Sequence, residues 1–278
     1  MIRIFSILAG LFFSAALLWS LGTGAVGYMS ETPAKTVEHE FHKPPKHLAL
    51  ASDGAFGHFD KQQLQRGFQV YKEVCAACHS LRHVAFRDLA ALGYNDDEVK
   101  AIAAGFQVPG IDQVTGEAIL RNGIATDYFP KPFANDIAAR AANNNAIPPD
   151  LSLMTKARHD GSAYVYSLLS GYTAQPAELL KKFPDAKTGP GLHYNRYFPN
   201  LNLAMAPPLA AEGQVTYGDG TKATVDQMSK DVAAFLVWTA EPTLDKRKQT
   251  GWPVVGFLLF LTILAYMSYR NIWADKKH

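Results

Sequence analysis

Two long stretches of the chain carry no charged residue, and they constrain its fold more than any other feature. The first runs from Ile4 to about Tyr28, and the second from Gly251 to Tyr269. Each is long enough, as a helix rising roughly 1.5 Å per residue, to cross a hydrocarbon layer about 30 Å thick. The pattern predicts a polar middle region that is held at a membrane by one or both of its ends.

The N-terminal stretch, residues 1–30, has two interpretations. One is a cleaved secretory signal, with Arg3 as its charged region and Thr23-Gly24-Ala25 as a loose cleavage site. The other is a retained anchor, which is favoured by the length of the apolar run and by the lack of a clean Ala-x-Ala site. Both interpretations export the residues that follow, and both stay open here.

The C-terminal stretch is interpreted as a transmembrane anchor with a short tail, over residues 249–278. Trp252, Tyr269 and Trp273 stand near its two ends, where aromatic residues commonly meet a membrane interface. The alternative, a buried core helix, does not explain that placement. Anchors at both ends would leave both termini in the cytoplasm, although basic residues flank the second stretch on both sides and so indicate its orientation only weakly.

The chain has only two cysteines, and they form the sequence Cys75-Ala76-Ala77-Cys78-His79. This is the attachment pattern of haem c. Two thiols three residues apart on a helical turn can reach the two vinyl groups of one porphyrin edge, and the histidine that follows is then placed to ligate the iron. Covalent attachment also retains a haem in a partly open pocket, which a one-electron carrier needs.

Three other uses of the cysteine pair are weaker. A redox Cys-x-x-Cys follows a strand in thioredoxin-like folds and needs no histidine, whereas the preceding segment here has helical periodicity. A zinc site would need a fourth ligand such as His83, and an exported domain of this size needs no zinc for its stability. A disulfide across two residues is strained and closes a trivial loop.

A second axial ligand for the iron must come from elsewhere in the chain, and Met205 is the favoured candidate. It precedes Ala206-Pro207-Pro208 in a segment without regular periodicity, and two prolines make the rigid loop that a weak thioether ligand requires. Met154 is the next methionine candidate, and Met228 fits the core face of a helix. The histidine candidates are His83, His159 and His193.

The length and charge of the chain limit its size and exclude one class of partner. The chain has 278 residues, 48% of them apolar, and a formal net charge of +2 without a basic block, so nucleic acid is not an expected partner.

Residues 31–57 are proline-containing and are predicted as a linker, residues 178–193 as a surface loop, and residues 214–221 as a hairpin turning at Asp219-Gly220. Periodicity predicts helices over 62–74, 96–104, 136–143, 162–170 and 225–239.

From about Phe56 to the C-terminus, the sequence resembles the cytochrome c1 family. The attachment motif alone indicates only a c-type cytochrome, and the resemblance depends on an ordered set of further motifs. They are Arg66-Gly67-Phe68-Gln69-Val70-Tyr71, Ala139-Arg140-Ala141-Ala142-Asn143-Asn144, Pro148-Pro149-Asp150-Leu151-Ser152, Ala157-Arg158-His159, Tyr197-Phe198-Pro199, Met205-Ala206-Pro207-Pro208, Lys230-Asp231-Val232 and Glu241-Pro242.

The resemblance implies an all-α, cytochrome c-like domain with long loops over residues 58–248, followed by a transmembrane helix. It also implies a function within the respiratory bc1 complex, a quinol–cytochrome c oxidoreductase. The haem c would take one electron from the Rieske iron–sulfur protein and pass it to a soluble or membrane-tethered cytochrome c. Cytochrome b would be a neighbour in a dimeric complex, and the domain would face the periplasm from the bacterial inner membrane.

The resemblance also assigns roles to individual residues. Arg158 matches a residue that pairs with a haem propionate, and Asn143 and Pro148 match positions that line the haem. No catalytic residue is expected, because such a subunit carries electrons and has no substrate chemistry of its own. The predicted haem-binding set is Cys75, Cys78, His79, Met205, Arg158, Asn143 and Pro148, of which His79 and Met205 ligate the iron.

Two other functions fit the attachment motif less well. A haem peroxidase would need an open iron position or a second haem, and the chain has one attachment motif. A free-standing, membrane-tethered cytochrome c would have a haem domain of about half this size on a flexible tether. The large loops here suit contacts with partner subunits.

Overall fold

The computed structural model describes residues 2–30 and 36–276, and it is mostly helical. The predicted all-α class is therefore confirmed. By its internal contacts the chain divides after Phe41 into two compact units.

The first unit contains helix α1 (Ile2–Ser30) and the short helix α2 (Val37–Phe41). Helix α1 covers the first apolar stretch, and none of its residues is buried. It is long and apolar enough to cross a membrane. Because signal sequences and anchors both form such helices, the two interpretations of residues 1–30 remain open.

The second unit contains all the remaining elements. Its α-helices are α3 (Lys61–Val70), α4 (Asp96–Ala104), α5 (Asp136–Ala142), α6 (Met154–Ala157), α7 (Gly161–Leu169), α8 (Ala177–Lys182), α9 (Val225–Ala240) and α10 (Leu244–Trp273). Its short strands are β1 (Gln107–Ile111), β2 (Ala118–Asn122), β3 (His193–Tyr194) and β4 (Asn202–Leu203), which form two antiparallel pairs, β1–β2 and β3–β4. A π-helical turn, Tyr71–Cys75, continues α3.

The five helices predicted from periodicity are all present, and α3, α4, α5 and α9 each begin at a residue whose side chain caps the helix. Asp60 caps α3 by accepting hydrogen bonds from the backbone N–H groups of Gln62 and Gln63. Asn95 caps α4 in a capping box with Glu98, and Thr224 caps α9. These side chains satisfy N–H groups that the first turn of a helix leaves without partners.

The core of the second unit lies where α3 crosses α9. The crossing is close because α3 contributes Gly67 at this point, and a Cβ on that residue would lie 2.1 Å from the carbonyl oxygen of Asp231. Buried aromatic side chains surround the crossing and pack mostly edge-on or tilted, with Phe235 and Trp238 stacked, at ring distances that favour their quadrupoles. They are Phe68, Tyr71, Phe86, Phe129, Phe235 and Trp238.

A buried ion pair also joins the two helices. The side chain of Asp231 is fully buried, and the Arg66 Nε lies 3.0 Å from its Oδ2. Gln63 and Gln227 donate to its other oxygen. The second unit thus satisfies the one carboxylate that it buries at the crossing, as a charge in a low-dielectric environment requires.

The hairpin predicted over residues 214–221 is wrong. A turn does occur at Asp219-Gly220, with Gly220 in the left-handed region, but the flanking residues do not pair as strands. The reason lies in the side chains: Val215 and Tyr217 are both buried in the core, and Asp219 is held by Arg66 at 2.6 Å. Packing onto the core replaces cross-strand pairing in this segment.

The elements that were not predicted include the β1–β2 hairpin and helix α8. The β1–β2 hairpin pairs Gln107 with Asn122 through Ile111 with Ala118, although Pro109 and Gly110 interrupt the first strand. Helix α8 lies within the predicted surface loop, and its Leu179 is fully buried. Of the predicted linker, residues 31–35 lie outside the described residues, whereas Lys46 and Leu50 belong to the second unit: the Lys46 N–H donates to the Ser167 hydroxyl, and Leu50 is part of the core.

Helix α10 is 30 residues long and covers the second apolar stretch. At about 1.5 Å per residue it extends roughly 45 Å. Its Leu244 is buried against the second unit, and its apolar residues from Trp252 onward are exposed. It is the membrane anchor helix that the sequence predicts.

Candidate haem site

The two cysteines lie where α3 ends in the π-helical turn. The backbone N–H of Ala76 reaches the carbonyl of Tyr71 at 2.8 Å, and those of Cys78 and His79 both reach the carbonyl of Cys75, at 3.0 and 2.9 Å. This compact turn keeps both thiols on one stretch of backbone, and π-turns of this kind are frequent at functional sites. Both thiols are free. Burial, and then the neighbouring Cys78, raises the pKa of Cys75 to about 12.

His79 is oriented by its hydrogen bonds. Its Nδ1 lies 2.8 Å from the carbonyl oxygen of Pro149, and because a carbonyl only accepts, Nδ1 carries the proton. The lone pair of Nε2 is therefore available to a metal. Burial lowers the pKa of His79 by more than the bond to Pro149 and the charge of Asp150 raise it, so the imidazole is neutral at physiological pH. The buried Tyr71 hydroxyl donates to the His79 carbonyl and fixes the backbone there.

Asp150 ties the segment after His79 to the Pro148-Pro149 turn. Its carboxylate accepts from the Ser80 hydroxyl at 2.7 Å, the Arg82 N–H at 2.9 Å and the Ser152 N–H at 3.0 Å. Burial raises the pKa of Asp150, but these hydrogen bonds outweigh burial and hold it below its usual value. The carbonyl that orients His79 belongs to the residue before Asp150, so the same network positions the imidazole.

Beside this turn is a cavity of about 170 Å³ whose wall includes two arginines. Arg82 and Arg158 both line it, and within residues 2–30 and 36–276 neither pairs with a carboxylate within 4.0 Å. Arg158 donates to the Ala157 carbonyl at 3.1 Å, and its charge opposes the rise that burial gives the pKa of Tyr164. The other lining residues are His83, Pro149, Asp150, Leu153, Met154 and Ala157. The cavity suits an anionic group of modest size.

Met205 lies on a separate loop that is fixed on both sides. Its carbonyl accepts from the Tyr172 hydroxyl at 3.1 Å, and it lies two residues after the end of β4. On the N-terminal side Asn195 is fully buried, and Leu201, also buried, has a left-handed φ of 64°. A bulky residue in that conformation is strained and persists only where its surroundings enforce it.

The C-terminal side of the Met205 loop is held by Gln214. Its amide accepts from the Ala210 N–H at 2.9 Å and donates to the Pro208 carbonyl at 2.8 Å. Hydrogen bonds therefore hold the backbone on both sides of the two prolines, and Met205 itself is half-buried.

The remaining predicted residues take different positions. Asn143 follows α5, and its side-chain amide donates to the Ala139 carbonyl at 2.7 Å. Pro148 is half-buried at the start of the turn that bonds His79. Met154 lines the cavity, and Met228 is fully buried in the core, as predicted. Among the histidine alternatives, His83 lines the cavity, His159 is exposed and His193 lies in β3.

Sequence reasoning did not identify Arg82, Tyr164 or the role of Asp150. Asp150 belongs to the Pro-Pro-Asp-Leu-Ser motif, which is the only signal that pointed toward it. Arg82 lies three residues after His79, and nothing in its local sequence distinguishes it from a solvent-exposed arginine. Within the described part of the chain, no three His, Cys, Asp or Glu side chains form a cluster that could hold a metal ion.

A mostly helical domain with a Cys-x-x-Cys-His turn and a long apolar C-terminal helix defines a membrane-anchored c-type cytochrome. Within that class, residues 50–276 match the model of the Cytochrome C1 family. The chain belongs to the cytochrome c1 family, and it is an electron-transfer subunit of a bc1 complex.

Individual relatives support the same assignment. Cytochrome c1 of Rhodospirillum rubrum is 46% identical over 239 residues, covering 81% of this chain and 86% of that protein. Mitochondrial cytochrome c1 heme protein of Saccharomyces cerevisiae is 43% identical over 240 residues, covering 86% of this chain and 75% of that protein. Cytochrome b/c1 of Bradyrhizobium diazoefficiens is 44% identical over 237 residues, which cover 80% of this chain and 34% of that longer protein.

Proposed function

We propose that this chain binds one haem c covalently through Cys75 and Cys78, with His79 and Met205 as axial ligands. It would take an electron from the Rieske iron–sulfur protein and pass it to a cytochrome c. The observation that carries this proposal is the geometry of His79. Its Nδ1–H donates to the Pro149 carbonyl, which leaves Nε2 for a metal, and it directly follows Cys78 of a cysteine pair that forms no disulfide. The residues present fit the group, and when bound, haem c supplies a one-electron couple between ferric and ferrous iron.

The protein's own residues have three tasks in this scheme. Cys75 and Cys78 would tether the cofactor, and the Asp150 network would hold the His79 ring in one orientation. The rigid loop would keep the weak Met205 donor in place, which raises the reduction potential relative to two nitrogen ligands. An acceptor of electrons from a high-potential iron–sulfur centre needs such a raised potential.

Arg158 would pair with a haem propionate. The absence of a carboxylate partner among the described residues, and its position on a cavity with a second guanidinium, support this role. Asn143 and Pro148 are proposed to line the haem. Arg82 is added to the predicted set because it lines the same cavity, and its backbone N–H binds Asp150.

The partners and the topology are proposals of the same kind. A relative named cytochrome b/c1 is about three times as long as the region it shares with this chain, which supports cytochrome b as a direct neighbour. We infer a haem domain over residues 58–248 in the periplasm of a bacterium, an anchor over 249–278 in the inner membrane, and a dimeric assembly. Residues 1–30 would be a second anchor or a signal, which N-terminal sequencing decides: Met1 indicates the anchor and a start near Val26 the signal.

The test of this function is Met205→Lys in the assembled complex. A nitrogen donor stabilises ferric iron, so the haem potential should fall by on the order of hundreds of millivolts. Since about 59 mV is a tenfold change for one electron, quinol-dependent reduction of cytochrome c should collapse while the complex still assembles. A redox titration and steady-state turnover measure both effects.

Met154→Leu is the matched control, because it removes the other candidate thioether from the cavity wall. It should keep the native potential. If Met205→Lys instead retains the native potential and the sulfur-to-iron charge-transfer absorption, Met205 is not the ligand, and Met154 replaces it.

A further inference from the structure

A closed loop beside the start of α10 holds a large apolar side chain in a fixed position. In residues 50–58 the Asp53 N–H donates to the Leu50 carbonyl at 3.0 Å, and the His58 N–H donates to the Ala51 carbonyl at 2.9 Å. Leu50 is buried in the core. Gly57 permits the closure, since a Cβ there would lie 2.0 Å from the Asp53 carbonyl oxygen. The backbone of the loop is therefore constrained at both ends.

The loop is bound to one face of α10. Asp245 accepts from the Phe59 N–H at 3.1 Å, and the Lys248 Nζ donates to the carbonyls of Ser52 at 2.7 Å and Gly57 at 3.1 Å. The Trp252 Nε1 donates to the Ala55 carbonyl at 3.4 Å. Asp245, Lys248 and Trp252 are three and four residues apart, so they share a helix face. We call residues 51–57 together with this face the helix clamp.

At the tip of the helix clamp, Phe56 stacks on Trp252 with ring centroids 5.0 Å apart and an interplanar angle of 11°. Phe56 is nonetheless 82% exposed, and Trp252 is 49% exposed. A rigid loop that presents an aromatic ring outward, next to a second half-exposed ring, is an apolar surface that water covers poorly.

The position of Trp252 along α10 indicates what covers this surface. Trp252 and Trp273 stand near the two ends of the apolar part of the helix, about 32 Å apart along its axis. That length matches a hydrocarbon core about 30 Å thick, with one tryptophan at each interface. Phe56 lies against Trp252 and so at the same level, and the basic residues Lys246, Arg247 and Lys248 precede the apolar part on its water side.

We propose that the helix clamp is a second membrane contact, in which Phe56 and Trp252 insert together among the lipid headgroups. The occupant is lipid, because the pair continues the exposed apolar surface of α10 without a break, and stacked aromatic rings beside basic side chains suit the headgroup region of a bilayer. The domain is thereby seated on the bilayer by a loop as well as tethered to it by a helix.

Spin labelling tests this with the assembled complex in phosphatidylcholine nanodiscs. Phe56→Cys and Ala55→Cys each introduce one thiol at the tip, and Ala55→Cys leaves the stacked pair intact if Phe56→Cys weakens the loop. Val114→Cys, on the exposed hairpin turn between β1 and β2, is the matched control. Collision rates with oxygen, which concentrates in lipid, and with a water-soluble nickel chelate are measured for each label.

The ratio of oxygen to nickel collisions should be several-fold higher at positions 55 and 56 than at 114. An equal ratio at all three positions would place the tip in water and overturn the proposal. Low collision rates with both reagents, together with an immobilised label, would show that a protein partner covers the tip and would equally overturn it. The unmodified protein is labelled in parallel: labelling there would mean that Cys75 and Cys78 are not in thioether bonds, a failure of the proposed function and not of this inference.

Discussion

The α3–α9 crossing and the loops around the candidate haem site are built on different principles. At the crossing, side chains interdigitate around Gly67, and a buried carboxylate is satisfied by three side chains. At the site, half-buried residues are positioned by hydrogen bonds between side chains and backbone, as for His79, Asp150 and Met205. The crossing is held by apolar packing, whereas the candidate haem ligands lie on loops that are held mainly by hydrogen bonds.

Tyr71 belongs to both regions. Its ring packs against Phe129 and Phe235 in the core, and its hydroxyl donates to the His79 carbonyl. One side chain thus connects the candidate site to the buried core of the second unit. The two regions should still respond differently to mutation: the crossing through the free energy of unfolding, and the loops through the properties of the haem.

The largest effect is expected from Cys75→Ser with Cys78→Ser. Without a thiol, no thioether can form, and acid-stable haem staining of the chain on a denaturing gel should be abolished. Ala77→Ser is the control, because it introduces the same side chain between the cysteines and leaves both thiols in place. Undiminished staining of the double variant would refute covalent attachment.

Gly67→Ala should break the crossing and leave the site chemistry unchanged. The added Cβ would lie 2.1 Å from the Asp231 carbonyl, so the helices must move apart, at about 3 kcal/mol of unfolding free energy. Thermal or denaturant unfolding of the complex measures this loss, and a redox titration should give the native potential. Gly218→Ala, with nothing within 4 Å of its Cβ, should be close to neutral. Equal stability of the two variants would mean that the crossing is not close-packed.

Arg158→Gln should have the opposite effect to Gly67→Ala: it should change the haem potential and leave the free energy of unfolding nearly unchanged. Removing a positive charge beside a propionate favours ferric iron, so the potential should fall by on the order of tens of millivolts at ordinary protein dielectric. Unfolding should change little, because Arg158 is exposed. Arg87→Gln, an exposed arginine outside the cavity, serves as the control. If Arg158→Gln keeps the native haem potential, melting temperature and assembly, Arg158 does not pair with a propionate and is an ordinary surface arginine.

The smallest effect concerns the response to acid of a contact between α7 and α9. The bond from Lys230, and then that from the Tyr166 hydroxyl at 2.5 Å, hold the pKa of Asp226 below its usual value. Because the pKa of Asp226 is lower in the folded state than in the unfolded chain, its ionised form stabilises the fold. This stabilisation is complete at pH values above the unfolded-state pKa of about 3.9, and it is lost as the pH falls through the folded-state pKa. Because Asp226 is half-exposed, the contribution is at most about 1 kcal/mol.

Asp226→Asn should therefore reduce unfolding free energy near neutral pH and converge on the wild type in acid. Denaturant titrations at several pH values measure the difference. Asp185→Asn, an exposed aspartate after α8, is the control. A gap between Asp226→Asn and wild type that is the same at every pH would contradict the role of the charge.

The crossing was largely predictable from sequence, and the site only in part. Leu64 and Phe68 recur at helical spacing, so local periodicity predicts α3 as it predicts α9. The attachment motif is equally local. The β1–β2 hairpin was missed because Pro109 and Gly110 disrupt the alternation that marks a strand.

The rest of the site depends on contacts between distant segments. Asp150 meets Ser80 and Arg82 across about seventy residues, and Arg158 reaches the same cavity from α6. No local spacing rule predicts that these loops meet, because the contacts join segments that are far apart in the sequence. The false hairpin at 214–221 has the same origin, since Val215 is buried by the tertiary fold and not by a strand partner.

Helix α10 contains Pro253, directly after the last residue of the helix clamp. Proline has no N–H, so the Gln249 carbonyl loses its helical partner, and the helix bends most easily there. When a bilayer thins or thickens, an anchor helix accommodates by changing its tilt. We expect that bending to be concentrated at Pro253, below the clamp. The prosthetic group would then keep its height above the lipid, and hence its distance to partners in the same plane, as bilayer thickness varies.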